Sequence, residues 1–285
     1  MRWRGRERSS NVSDRRGGPG KALIGGGGGL IAILVVLALR FLGAPPEAQQ
    51  MVAEVAQQMQ NRNAAPSAGP GIEDDHQEFI SVVLRDTEKV WTRLFAEQVQ
   101  GGSYKEPELI IFEGTTQTGC GLGNAAMGPF YCPADQRVYI PPSFFDDLAS
   151  RHQAPGDFAQ AYVIAHEVAH HVQYLLGFSQ KVSQIRRQGN QQESNRASVR
   201  LELQADFLAG VWAYHADREY SILEAGDMQE AIQAANQIGD DTLGHVPERY
   251  THGTSAQRVY WFRRGLSSGK LTDCQLLFEI AYEDL

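Results

Sequence analysis

The chain has 285 residues, 42% of them hydrophobic and 21% charged, which provides for a sizeable core and excludes collagenous, coiled-coil and wholly disordered classes. The formal net charge of −8 is unevenly spread: residues 1–44 carry eight Lys/Arg against Glu7 and Asp14, a net of +6, whereas residues 45–285 carry 18 basic and 32 acidic side chains, a net of −14. So acidic a body repels a polyanion, which argues against nucleic acid as a partner, and three cysteines without CxxC spacing argue against zinc ribbons and thioredoxin-like redox chemistry.

In chain order, residues 1–21 read as a basic tail. Ala22 to Leu39 then runs for 18 residues without a charged or polar side chain, the lower limit for crossing a hydrocarbon core of about 30 Å. Residues 22–43 are therefore expected to form one transmembrane anchor, with a Gly-rich linker and short buried helix as the alternative. The positive-inside rule keeps the Arg-rich tail cytoplasmic and places the body outside, so the expected location is the cell (inner) membrane, single-pass, with a periplasmic C-terminal domain. A cleaved signal peptide fits less well, because Leu42-Gly43-Ala44 puts a large residue where a small one is wanted and Pro45 follows. Residues 44–72, rich in Ala, Gln and Pro, read as a tether to a domain spanning 73–285.

Within that domain Asp74 to Gln100 spaces Phe79, Val82, Val83, Val90, Leu94 and Phe95 as an amphipathic helix stopped by Gly101-Gly102. Short strands are expected at Glu108–Phe112 and Arg137–Ile140, the second either a sheet edge able to hold an extended peptide or sheet core. From Ser143 onward the pattern is mostly helical. The class is α+β, with a small sheet beside a mostly helical body.

The segment AYVIAHEVAHHVQYLLG, residues 161–177, contains His166-Glu167-Val168-Ala169-His170, an HExxH pattern. A helix there stacks His166 and His170 one turn apart, so that both imidazoles reach one Zn²⁺. Glu167, rotated by about 100°, lies beside the metal where it can accept a proton from water. His171 points away from that face and is expected to be a packing or surface residue. A third ligand is needed. The metzincin continuation fails at Gln173 and Leu176. On the next long apolar helix, Ser198 to Tyr214, Glu202 and Asp206 share a face among leucines and aromatics, a costly placement unless they are paired or bind metal. A helix cap, or an ion pair to Arg196 or Arg200, is the alternative.

HExxH followed by Glu202-Leu203-Gln204-Ala205-Asp206 resembles the gluzincin arrangement of membrane-associated zinc endopeptidases. That resemblance implies a zincin-like fold with Glu202 as third zinc ligand and Asp206 holding the outer nitrogen of a ligating imidazole, His166 by position. Thr251-His252-Gly253 through Arg258 resembles the THPxxxxR segment of the same enzymes, with Gly253 in place of proline. It implies His252 as a donor to a tetrahedral oxyanion and Arg258 as a group that orients a site carboxylate or contacts substrate. Thr254 or Ser255 capping a helix to Arg264 is the alternative there, and His245 is a rival for the oxyanion role. MRWRGRERSSNVSDRRG at the start, CGLGNAAMGPFYCPAD at 120–135, RLELQAD and HGTSAQRVYWF together resemble the neutral zinc metallopeptidase family of bacterial single-pass membrane proteins. An extracytoplasmic location permits a Cys120–Cys132 disulfide, with two buried thiols as the alternative and Cys274 left over.

The expected function is hydrolysis of peptide bonds by zinc-activated water, with Zn²⁺ as cofactor, Glu167 as base, a peptide or protein as substrate, and the membrane as the other partner. A proteolytically inactive, zinc-stabilised envelope binding or assembly factor is one rival, and a zinc amidase acting on cell-wall peptides is another.

Overall fold

The computed structural model describes residues 1–16, 74–151 and 153–285. The apolar run at 22–39, the anchor drawn around it and the tether at 44–72 lie outside the described residues. Among the described residues no helix is long and apolar enough to cross a membrane.

Helix α1, Asp75–Gln98, starts where the Asp74 carboxylate accepts from the Gln77 N–H at 2.8 Å, with Asp75 and Glu78 favourably placed at the positive end of the helix dipole. Its Phe79, Val82, Val83, Val90, Trp91 and Leu94 are buried, the face expected from their spacing. Strands β2, Glu108–Ile111, and β6, Arg137–Ile140, pair in parallel with Leu109 opposite Val138. Between them the chain makes an antiparallel hairpin of β3, Thr115–Thr118, and β4, Gly121–Asn124, then β5, Phe130–Cys132, which pairs antiparallel to β6. A further strand, β1, Val12–Asp14, pairs in parallel with β2, giving the order β1-β2-β6-β5. Arg137–Ile140 is thus interior sheet, and the edge on its side is β5.

Residues 1–21 read as a separate tail in the sequence, and here the structure differs. Residues 1–14 belong to the same compact body as 74–285. The Trp3 ring packs edge-on against Phe79 at 5.2 Å, and Leu109 N–H donates to the Asn11 carbonyl at 2.8 Å. A three-residue strand among Ser, Asn and Arg carries no hydrophobic alternation, so periodicity had nothing to detect.

The rest is helical: α2, Ser143–Ser150; α3, Asp157–Leu175; α4, Phe178–Gln188; α5, Gln191–Tyr220; α6, Asp227–Gln237; α7, Ser255–Ser268; and α8, Leu276–Glu279. Helix α5 begins seven residues before the expected Ser198, because Asn190 and Glu193 form a reciprocal capping box. Its contact with α7 depends on two glycines. A Cβ on Gly265 would overlap the Phe207 carbonyl, and one on Gly210 would overlap that of Phe262. The close approach lets Arg258 of α7 reach Asp206 of α5. The class is α+β, mostly helical with a small sheet.

Candidate metal centre and cleft

Helix α3 is buried along most of its length, and His166 and His170 project from it one turn apart with ring centroids 4.8 Å from each other. Both turn Nε2 towards the Glu202 carboxylate of α5, at 3.2 Å from His166 and 3.6 Å from His170. The three ligand-type atoms lie within 4.8 Å of one another. Two imidazoles and a carboxylate are a His₂Glu donor set suited to a catalytic zinc ion.

The outer nitrogens are held as well. His166 Nδ1 lies 2.8 Å from Asp206 Oδ1, and His170 Nδ1 lies 2.8 Å from Gln173 Oε1. Each contact assigns the Nδ1 proton and leaves Nε2 as the atom that faces Glu202. Gln173 is itself fixed, donating to the Leu201 carbonyl at 2.6 Å and to Gln204 Oε1 at 3.0 Å, while Gln204 donates to the Cys274 carbonyl at 2.8 Å. Asp206 is fully buried and accepts two guanidinium bonds, from Arg258 Nε at 2.8 Å and Nη2 at 3.0 Å, as well as one from the Tyr162 hydroxyl. Arg200 donates instead to the Leu277 and Ile280 carbonyls, and Arg196 pairs with Glu283, so neither supplies the ion pair considered from sequence.

Burial works against charge at every one of these groups, and the neighbours decide the outcome. For Asp206, Arg258 and His166 outweigh burial and hold the carboxyl at about 2. For Glu202, the two imidazoles outweigh burial and hold it well below the usual carboxylate range. His166 shows the converse: against burial, Asp206 and Glu202 raise it to about 10. The protein has therefore built a place for one more positive charge, which a proton or a metal cation can supply. Glu167 is the exception, because burial dominates there and raises its carboxyl.

These groups open on a cleft of about 510 Å³ bordered by Phe130 and Tyr131 of the β5 edge, Val163, Val182 of α4, Leu243 and His252. Glu167, 9% exposed, reaches it beside the two histidines. His252 stands on its rim, half-exposed, with Nδ1 3.2 Å from Asp240 Oδ1. Asp240, fully buried, is what shapes this loop. It accepts from the backbone N–H groups of Thr251 at 2.7 Å, His252 at 2.6 Å and Gly253 at 3.0 Å, and His245 Nδ1 lies 3.0 Å from it. Gly253 has φ of +88°, which proline cannot adopt, and its N–H is one that proline lacks. The glycine that departs from the THP pattern is therefore required by this turn.

The structure thus joins His166, His170, Glu202, Asp206 and Arg258 in one network and brings Glu167 and His252 to the cleft beside it. Arg258 is 3% exposed and engaged with Asp206, so of its two expected roles it takes that of orienting a carboxylate. Thr254 does cap α7, and it does so alongside the placement of His252 on the rim. His171 is buried away from the metal site, bonded to the Tyr131 hydroxyl at 3.0 Å and the Lys105 carbonyl at 2.6 Å, and burial pushes it down to about 4. Cys120 and Cys132 form a disulfide with Cα atoms 5.8 Å apart, and Cys274 is a buried thiol. Tyr162, Gln173 and Asp240 were not singled out from sequence. Gln173 breaks the metzincin pattern, yet HExxHxxQ places an amide one turn after the second histidine, which is a signal for a group that holds the outer nitrogen of His170.

The chain matches the family model described as "Putative neutral zinc metallopeptidase" over residues 1–277. It is 47% identical over 288 aligned positions to the uncharacterized protein YpfJ of Escherichia coli K12, covering 96% of this chain and 98% of that one. An uncharacterized protein of Mycobacterium bovis is 40% identical over 187 positions, covering 60% of this chain and 62% of its own. No solved structure matches.

Proposed function

The chain belongs to the putative neutral zinc metallopeptidase family, and from that premise we propose that it hydrolyses peptide bonds with one Zn²⁺ held by His166, His170 and Glu202. The observation that carries this reading is the convergence of those three side chains with both outer imidazole nitrogens already occupied by fixed acceptors. When bound, zinc supplies Lewis-acid polarisation of a peptide carbonyl and acidifies water.

The remaining work falls to the protein. Glu167, whose carboxyl burial raises, takes the proton from the attacking water and returns it to the leaving amine. His252 donates to the oxyanion that develops on the substrate carbonyl, and Asp240 holds its Nδ1 side so that Nε2 is presented outward. Asp206, Arg258 and Gln173 position the ligands. An extended peptide lies along the β5 edge, where backbone pairing registers the scissile bond against the site. Residues 22–39 attach the protein to a membrane, and the Cys120–Cys132 disulfide supports an extracytoplasmic site.

Zinc content and cleavage of a peptide library by the purified full chain test this. One zinc per chain is expected, with cleavage abolished by a chelator and restored by Zn²⁺. Zinc-loaded, folded protein that cleaves neither library peptides nor unfolded protein substrates would overturn it.

A further inference from the structure

Residues 1–14 are held to the body by contacts of three kinds. The first is β-pairing, with Val12, Ser13 and Asp14 opposite Leu109, Ile110 and Ile111 of β2. The second is apolar burial: Met1 and Trp3 are 7% and 8% exposed and belong to the main core. The third is charge. Arg6 makes a two-pronged pair with Asp86, both bonds 2.7 Å, and Asp86 is only 2% exposed. Arg4 pairs with Asp75 at 3.1 Å and Arg8 with Glu78 at 2.9 Å. Ser9 and Asn11 donate to Glu88, 1% exposed, at 2.6 and 2.8 Å.

We propose that residues 1–14 are an integral part of the catalytic domain and lie on the same side of any membrane as the cleft. The inference is independent of the zinc reading. Paired strands lie about 4.8 Å apart, whereas a single crossing by residues 22–39 would put about 30 Å of hydrocarbon between β1 and β2. It would also strand Asp86 in the core without its guanidinium, and a buried carboxylate deprived of its partner is strongly unfavourable. The positive-inside preference is a statistical bias counted from Lys/Arg near the ends of a span. Here Arg4, Arg6 and Arg8 each pair with a carboxylate of the acidic body, a specific arrangement that outweighs a count of charges. The segment also bears on the site, because the Met1 amine pairs with Asp157 in the first turn of α3, the helix that carries His166, Glu167 and His170.

Two experiments on the full-length protein test the proposal. Arg4→Cys and Glu283→Cys replace side chains that are 67% and 69% exposed, and the native cysteines are either in the disulfide or buried. Sealed membranes treated with an impermeant maleimide should label both variants or protect both. Labelling of one and protection of the other overturns the proposal. The second experiment is a thermal-unfolding cycle of Arg6→Ala, Asp86→Asn and the double variant. Coupled losses are expected, with the double variant less destabilised than the sum of the singles. Strictly additive losses, or none, would mean that the segment is not docked and would overturn it equally.

Discussion

Asp206 and Asp240 are both fully buried carboxylates that hold a cleft-lining imidazole, His166 and His252 respectively, and they are satisfied by opposite means. Asp206 is surrounded by side chains: a guanidinium, an imidazole and a phenol. Asp240 is surrounded chiefly by main chain, three successive N–H groups of the 251–253 turn, with two half-exposed histidines at its outer edge. The first arrangement fixes charges around His166, an imidazole of the proposed metal site. The second fixes a loop, and through it the position of a cleft-facing histidine. A carboxylate held by ionic side chains should be costly to neutralise, whereas one held by peptide N–H groups should be less so and should leave the metal site untouched.

The largest effect expected from this contrast is on metal binding. Glu202→Ala should lower zinc affinity by more than the roughly 10–100-fold that loss of an outer-sphere partner costs, whereas Asp240→Ala should keep full zinc occupancy in elemental analysis. Equal retention by both would move the third ligand elsewhere. Stability of the metal-free protein comes next. Asp206→Asn should cost about 3–5 kcal/mol, because it leaves the buried Arg258 without its counter-charge, and Asp240→Asn about 1–3 kcal/mol, the range for a disturbed buried hydrogen-bond acceptor. Denaturant unfolding reads both, and equal losses would erase the distinction. The smallest effect concerns His171, a buried group held by neutral partners alone. Its pKa is lowered from 6.5 to about 4 by burial, so the fold prefers the neutral ring. The stability this represents is present above about pH 6.5 and is lost as pH falls towards 4. His171→Gln should cost about 1 kcal/mol at neutral pH and make unfolding free energy fall less steeply between pH 6.5 and 4. An unchanged slope would mean that the ring is not buried as described.

The same contrast explains what was legible in the sequence. The cluster of His166, His170, Glu202 and Asp206 could be read because side chains that converge from helices recur at helical spacing, and because acids on an apolar helix need a partner. Arg258 could be read only as one of two roles, since its partner lies on another helix and the contact depends on the glycine-to-glycine approach at Gly210 and Gly265. Asp240 left no pattern: its donors are peptide groups, which every residue has. Strand β1 leaves no trace in the sequence for a related reason, because its pairing is by backbone, and the arginines before it, Arg6 and Arg8, meet Asp86 and Glu78 only in the folded chain. The helices came through well, since α1 and α3 bury continuous faces. The β3–β4 hairpin, built from Thr, Gln, Asn, Gly and the single exposed Leu122, has no apolar alternation to mark it.

Glu167→Gln provides the most direct measurement of the central claim. The side chain reaches the cleft beside both histidines without contributing to the three-atom ligand cluster, so the amide should preserve fold and zinc content while removing the proton acceptor. With zinc stoichiometry and peptide turnover measured on the same sample, the expected result is wild-type metal and a fall in turnover of about 10² to 10⁴, the usual worth of general-base assistance. Full metal with undiminished turnover would contradict it.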